Sequence, residues 1–236
     1  CFPYIFRGAL DSGATTITGG TLVAANVNAL NSTGLVSTGT VTGANTLRLA
    51  TDTSVTAFPF SVSSSSFPGT IISDRETTGP GITHALGSFF MGANTCNVEA
   101  GGNVSSGTAA LAFPSLVLSS GGAGIATLNP TSGTVLVNGP VNIGGGNFAK
   151  TLVLGGSSTG NTISGVISNG INVLTLTKSG VSTWSLAGAN THTGPTSITG
   201  GTLNLANQNA LATTAVTMNG GALAFDQSVS GIAFAL

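Results

Sequence analysis

Leu186 to Leu211 reads LAGANTHTGPTSITGGTLNLANQNAL, and its second half, from Gly194, returns near the start of the chain as Gly13 to Leu30, GATTITGGTLVAANVNAL. The copies lie 181 residues apart without a gap, and thirteen of the eighteen positions are identical. Gly13, Thr15, Ile17, Gly20 and Leu22 thus recur as Gly194, Thr196, Ile198, Gly201 and Leu203. Self-similarity of a Gly/Thr/Asn-rich unit is the mark of a stacked architecture. Ser197-Ile198-Thr199 and Thr202-Leu203-Asn204-Leu205 alternate small polar with branched apolar residues, the period of a half-buried strand. Gly200-Gly201 between them fits a corner, where a positive φ is needed. Strand, glycine corner, strand and Asn-rich turn make about one coil of a β-solenoid.

The same rhythm runs outward from this stretch. Apolar pairs two residues apart recur at Leu116/Leu118, Val135/Val137, Leu152/Leu154, Leu174/Leu176, Trp184/Leu186, Leu203/Leu205 and Leu223/Phe225, several of them about 20 residues apart. Between residues 51 and 124 the pattern loosens. Phe58-Pro59, Phe67-Pro68 and Phe113-Pro114 mark strand ends or edges, because proline cannot donate to a ladder. That part reads as solenoid with larger loops. The expected fold is all-β, a right-handed parallel β-helix with coils of about 20 residues. Residues 1–236 read as one solenoid segment, expected to be a piece of a longer repetitive chain. A β-sandwich would carry more Tyr, Trp, Lys and Glu, and would not repeat a segment nearly verbatim.

Only 5 % of the 236 residues are charged, against ~25 % in an ordinary globular protein. Soluble helices are normally dressed in Glu, Lys and Arg, so the shortage argues against helices and for a Thr/Ser/Asn surface. A net charge of −1 gives no reason to expect a nucleic acid partner. No apolar run approaches the ~18 residues of a spanning helix, so membrane insertion by this segment is not expected. Cys1 and Cys96 are the two cysteines: too few for a disulfide scaffold, though one disulfide between them is open in an oxidising compartment.

Leu186, Gly188, Asn190, Gly194, Thr196, Ile198, Gly201 and Leu203 follow the pattern L-x-G-x-N-x-Y-x-G-x-T-x-I-x-x-G-x-L, with His192 at the tyrosine position. The stretch resembles the autotransporter-associated β-strand repeat, also called the passenger-associated transport repeat. The first copy matches from Gly13 on and carries Asp11 at the aromatic position. The resemblance implies a β-helical passenger domain of a secreted or surface-anchored bacterial protein. It implies a structural or adhesive role, with neighbouring repeats, further copies of the chain or a host or matrix surface as partners.

Candidate chemistry is sparse. His192 reads as a turn or groove residue rather than a base, and His84 has no second ligand at zinc spacing. Asp74-Arg75-Glu76 reads as an exposed, self-paired loop. Six carboxylates, scattered along the chain, offer no obvious glycosidase pair. No catalytic residue, cofactor or metal site is therefore expected. Two other readings share the fold: a carbohydrate-binding or carbohydrate-degrading β-helix, and an ice-binding protein built on Thr-x-Thr pairs such as Thr175/Thr177, whose irregular spacing argues against it. Asn26, Asn190 and Asn207 are expected to form ladders at the corners.

Overall fold

The computed structural model describes residues 4–6, 14–30, 35–38, 45–64, 69–119, 123–145 and 147–226. The described residues form a β-solenoid with three sides. Ten strands, from Tyr4–Phe6 to Val216–Met218, make one sheet, and eight, from Val55–Ala57 to Ala222–Phe225, make the second. Six strands, from Thr15–Ile17 to Val141–Ile143, make the third, which a Val141–Ile167 bridge extends. Each pairing among the described residues is parallel. A middle coil shows the path: Asn45–Ala50 on the ten-stranded sheet, Val55–Ala57 on the eight-stranded, Ser61–Ser64 on the six-stranded, then back at Gly69–Asp74.

Alternation places every second residue inside. Leu152 and Leu154, Leu174 and Leu176, Trp184 and Leu186, and Leu203 and Leu205 are all buried, while Thr151, Thr175, Ser185 and Asn204 between or beside them are half-buried on the outer side. In-register stacking sets like on like, so Leu128, Leu154 and Lys178 share one inner column and Leu152, Leu176 and Thr196 another. Each buried Leu contributes roughly 1.5–3 kcal/mol by leaving water. Phe89 and Phe113 stack in the wider middle, ring centroids 5.0 Å apart and planes 24° apart.

Coil length varies along the axis. Lys178 pairs with Ile198 and Ile198 with Met218, steps of 20 residues. Leu154 to Lys178 is a step of 24, and Cys96 to Leu128 a step of 32. Corners are closed by glycine where coils touch. Gly156, at φ +90°, has no room for a Cβ, which would lie 2.2 Å from the Pro130 carbonyl oxygen. Gly180, at φ +65°, repeats the arrangement one coil on, against the Gly156 carbonyl at 2.4 Å.

Candidate functional site: the repeat coil and a polar knot

The coil from Leu174 to Leu205 assigns each motif position a physical task. Leu186, Ile198 and Leu203 are fully buried in the shared core. Gly188 and Gly194 let coils approach: a Cβ on them would lie 2.2 Å from the Gly165 carbonyl and 2.4 Å from the Leu174 carbonyl. Asn190, buried at the corner, accepts from the Ile167 N–H at 2.8 Å and donates through Nδ2 to the Ala210 carbonyl at 2.5 Å. One side chain thus joins the coil before to the coil after. His192 is buried behind it, its Nε2 3.3 Å from the Thr196 hydroxyl, and burial lowers its pKa. The groove position anticipated for His192 is thus an interior one.

Lys178 holds the next corner and was not singled out from sequence. Fully buried at the end of Leu174–Lys178, its Nζ donates to the carbonyls of Ser179 (2.6 Å), Gly180 (3.4 Å) and Gly200 (3.2 Å). Those three acceptors match the three protons of an ammonium, while burial pushes its pKa down to about 8. Gly201, at φ +62°, must lack a side chain, since a Cβ would meet Lys178 Nζ at 2.6 Å. Trp184 is buried too, with its indole N–H on the Gly155 carbonyl at 3.0 Å, beside the Ser182 hydroxyl at 2.6 Å from the same oxygen.

In the middle coils polar side chains take over the corner. Asp74 is buried: Oδ2 accepts from Arg48 Nε at 2.7 Å and pairs with its Nη2 at 2.6 Å, while Oδ1 accepts the N–H groups of Arg75 (2.8 Å) and Asn103 (3.0 Å). Arg75 is also buried, its Nη2 donating to the Asp52 carbonyl at 2.8 Å and its Nη1 to the Pro80 carbonyl at 3.2 Å. The expected exposed, self-paired Asp74-Arg75-Glu76 loop is therefore corrected for two of its residues. Only Glu76 is exposed, because the pairing partners come from the preceding coil and not from neighbours in sequence. Asp52 accepts from the N–H groups of Glu76 (3.1 Å) and Thr77 (3.0 Å), which hold its carboxyl below the usual range.

Directly inside this corner lies a sealed chain of hydroxyls around His84. Its Nδ1 is 2.8 Å from the Ser73 hydroxyl and its Nε2 3.0 Å from the Thr51 hydroxyl, which contacts that of Thr56 at 2.7 Å. His84 is fully buried, and desolvation pulls its pKa down to about 4 against a smaller opposing pull from Asp74. Ser73, His84 and Asp74 carry the residue types of a nucleophilic triad, yet the geometry is not one. Asp74 is spent on Arg48, and Ser73 is completely buried, its hydroxyl donating to the Ala110 carbonyl at 3.1 Å.

Residues 176–205 match the Passenger-associated-transport-repeat family model. Over 94 residues, 38 % of this chain, the sequence is 39 % identical to the Adhesin BmaC autotransporter of Brucella suis biovar 1 (strain 1330), of which that stretch is 3 %. The chain therefore spans only a small part of that relative's length. No solved structure matches the chain.

The two copies of the passenger-associated transport repeat share their internal geometry. Ile17, Leu22, Ala29 and Leu30 are buried as Ile198, Leu203, Ala210 and Leu211 are. Asn26 Oδ1 accepts the Asn28 N–H at 2.9 Å, and Asn207 Oδ1 accepts the Asn209 N–H at the same distance. Gly20 and Gly201 both have positive φ, +78° and +62°. Thr15 is half-buried where Thr196 is fully buried, and Gly13 lies outside the described residues. The copies sit on different sides, however. Thr15–Ile17 is on the six-stranded sheet and Gly20–Ala24 on the ten-stranded; Thr196–Ile198 is on the ten-stranded and Thr202–Leu205 on the eight-stranded.

The anticipated Asn ladders take another form. Asn26 and Asn207 cap their own turns, Asn190 bonds to backbone, and the Asn-to-Asn contact is Asn129 Nδ2 to Asn97 Oδ1 at 2.7 Å, on an outer face. The reason is geometric, since a corner side chain finds the carbonyls of the adjacent coil before it finds another amide. Cys96 is buried, and desolvation raises its thiol pKa to about 12; Cys1, its suggested partner, lies outside the described residues.

Proposed function

We propose that this chain is a structural and adhesive segment of a bacterial surface or secreted passenger, a stiff β-solenoid that presents an uncharged hydroxyl-rich surface to a host, a matrix or a neighbouring cell. The observation that carries the reading is the repeat match at residues 176–205 within an in-register parallel solenoid. The partial likeness to a protein named as an autotransporter adhesin supports the adhesive half. A non-catalytic role is favoured because the buried polar groups serve the corners: Lys178 binds carbonyls, Asp74 binds Arg48, and the Ser73–His84 contact is sealed. Extended assembly, through continuous polypeptide or contacts between copies, fits a surface with 5 % charged residues and little repulsion.

Beads coated with the folded 236-residue chain, scored for attachment to epithelial monolayers and to matrix-coated plastic, test this. Attachment above that of beads bearing the unfolded chain is expected. Equal attachment overturns the adhesive half.

A further inference from the structure

The strand Val104–Phe113 is ten residues long, and its two neighbours treat it unequally. Gly79–Ala85 follows it from Val104 to Ala112. On the other side Thr134–Val137 pairs only with Ala110 to Phe113, which leaves residues 104–109 with no strand there among the described residues. Ser105, Ser106, Gly107 and Thr108 are all exposed. Along this free edge runs a groove of about 310 Å³, lined by Gly107, Thr108, Ser132, Thr134, Ser157 and Thr159 among others, none of them charged. Six residues of open strand are ~20 Å long. An unpaired row of N–H and C=O groups is a template for one more strand.

We propose that this edge pairs with the same edge of a second copy, antiparallel about a two-fold axis. Self-pairing places Ser105 opposite Thr108, Ser106 opposite Gly107 and Val104 opposite Ala109. The pairs are two hydroxyls, a hydroxyl on a glycine, and two apolar groups, with no like charges in contact. A two-fold contact is self-complementary, so one surface supplies both halves. The register shifts between Val104 and Ala109 turn the edge away from the solenoid wall and leave room for a partner. An edge this short binds weakly alone, and gains strength when many copies stand on one surface. The inference rests on the surface role proposed above for its use, and supplies the lateral contact between passengers.

Sedimentation and concentration-dependent hydrogen exchange on the whole chain test it. Dimers are expected at high micromolar protein, with the amides of residues 104–109 slowing as concentration rises. Ser105→Lys with Thr108→Lys sets lysine against lysine across the axis and should weaken the dimer at least about tenfold, with thermal stability unchanged. Thr162→Lys, on an outer position of a distant coil, should leave it intact. A wild-type monomer at millimolar concentration, a dimer indifferent to the lysine pair, or protection that grows elsewhere overturns the proposal. If the lysine pair perturbs folding, the exchange pattern of the wild-type chain decides alone. Bead attachment that survives in the monomeric variant would leave the adhesive reading standing and separate it from this contact.

Discussion

The coils around the repeat and the coils of the middle close the same kind of corner by different means. Between Lys178 and Met218, where a coil takes 20 residues, the corner is almost all backbone: Gly180, Gly200 and Gly201 in contact with neighbouring carbonyls, and one ammonium among three oxygens. Between Arg48 and Asn103, where the steps are 24 and 27 residues, charged side chains fill the corner and two arginines meet two aspartates. A short coil brings backbone to backbone and can tolerate only glycine. A longer coil leaves space that must be filled, and buried backbone groups there need side-chain partners. Hence most of the charge of a nearly uncharged protein gathers where the coils are widest.

The largest expected effect breaks the short coils. Leu203 is fully buried between Trp184 and Leu223 in register, while Asn204 beside it is half-buried and reaches the Ser185 hydroxyl at 3.2 Å. Leu203→Asp puts an unpaired carboxylate in the core, and should cost about 5 kcal/mol or more and melt the C-terminal coils. Asn204→Asp should cost less than about 1 kcal/mol. Thermal unfolding of the two variants checks the inward and outward phase, and equal melting temperatures would refute it.

Asp74→Ala is the matching blow to the middle. It leaves the Arg48 guanidinium and the N–H groups of Arg75 and Asn103 without their acceptor, in a site where Asp74 is almost wholly buried. A cost of about 3–5 kcal/mol is expected, as for other broken buried pairs. If coils can unfold separately, exchange should rise in residues 69–103 and stay slow in 174–205. Uniform loss across both regions would show that the solenoid melts as one unit and that the contrast is only geometric.

How much of this was legible follows from the same contrast. The repeat could be read because its tasks are local: Ile198, Leu203 and Gly201 alternate or turn within a few residues, and the pattern states which side faces in. The apolar pairs were equally legible, but their spacings were not coil lengths. Leu116/Leu118 lies on the six-stranded sheet, Val135/Val137 on the eight-stranded and Leu152/Leu154 on the ten-stranded, so successive pairs step around a corner. The side to which a repeat copy belongs is set by how many corners precede it, which no local pattern records. The Arg48–Asp74 pair spans 26 residues and the His84–Thr51 contact 33, separations with no sequence signal. Lys178 was legible in retrospect, as a lysine at an inward position of an alternating strand, L-T-L-T-K.

Titration sharpens the comparison further, because each region buries one ionisable group whose charged form is disfavoured. His84 in the middle has its pKa lowered from 6.5 to about 4, so the unfolded chain takes up a proton before the folded chain does. Stability from this group is complete above pH ~6.5 and is lost as pH falls toward ~4, by about 3 kcal/mol in all. Lys178 in the short coils has its pKa lowered from 10.5 to about 8. Here the unfolded chain holds its proton longer, so stability rises as pH climbs from ~8 toward ~10.5, by a similar or smaller amount because the three carbonyls compensate part of the desolvation. Acid should therefore weaken the middle coils and alkali should firm the repeat coils. Lys178→Met separates the two. Its position stacks on Leu154 and Ile198, so methionine fits the inner column, and the change near pH 7 should stay within about 1–2 kcal/mol of neutral. The alkaline rise should vanish while the acid loss remains. Urea unfolding at pH 5, 7 and 9.5 for both chains reads this out, and an alkaline rise that persists in the methionine variant would assign it to another group.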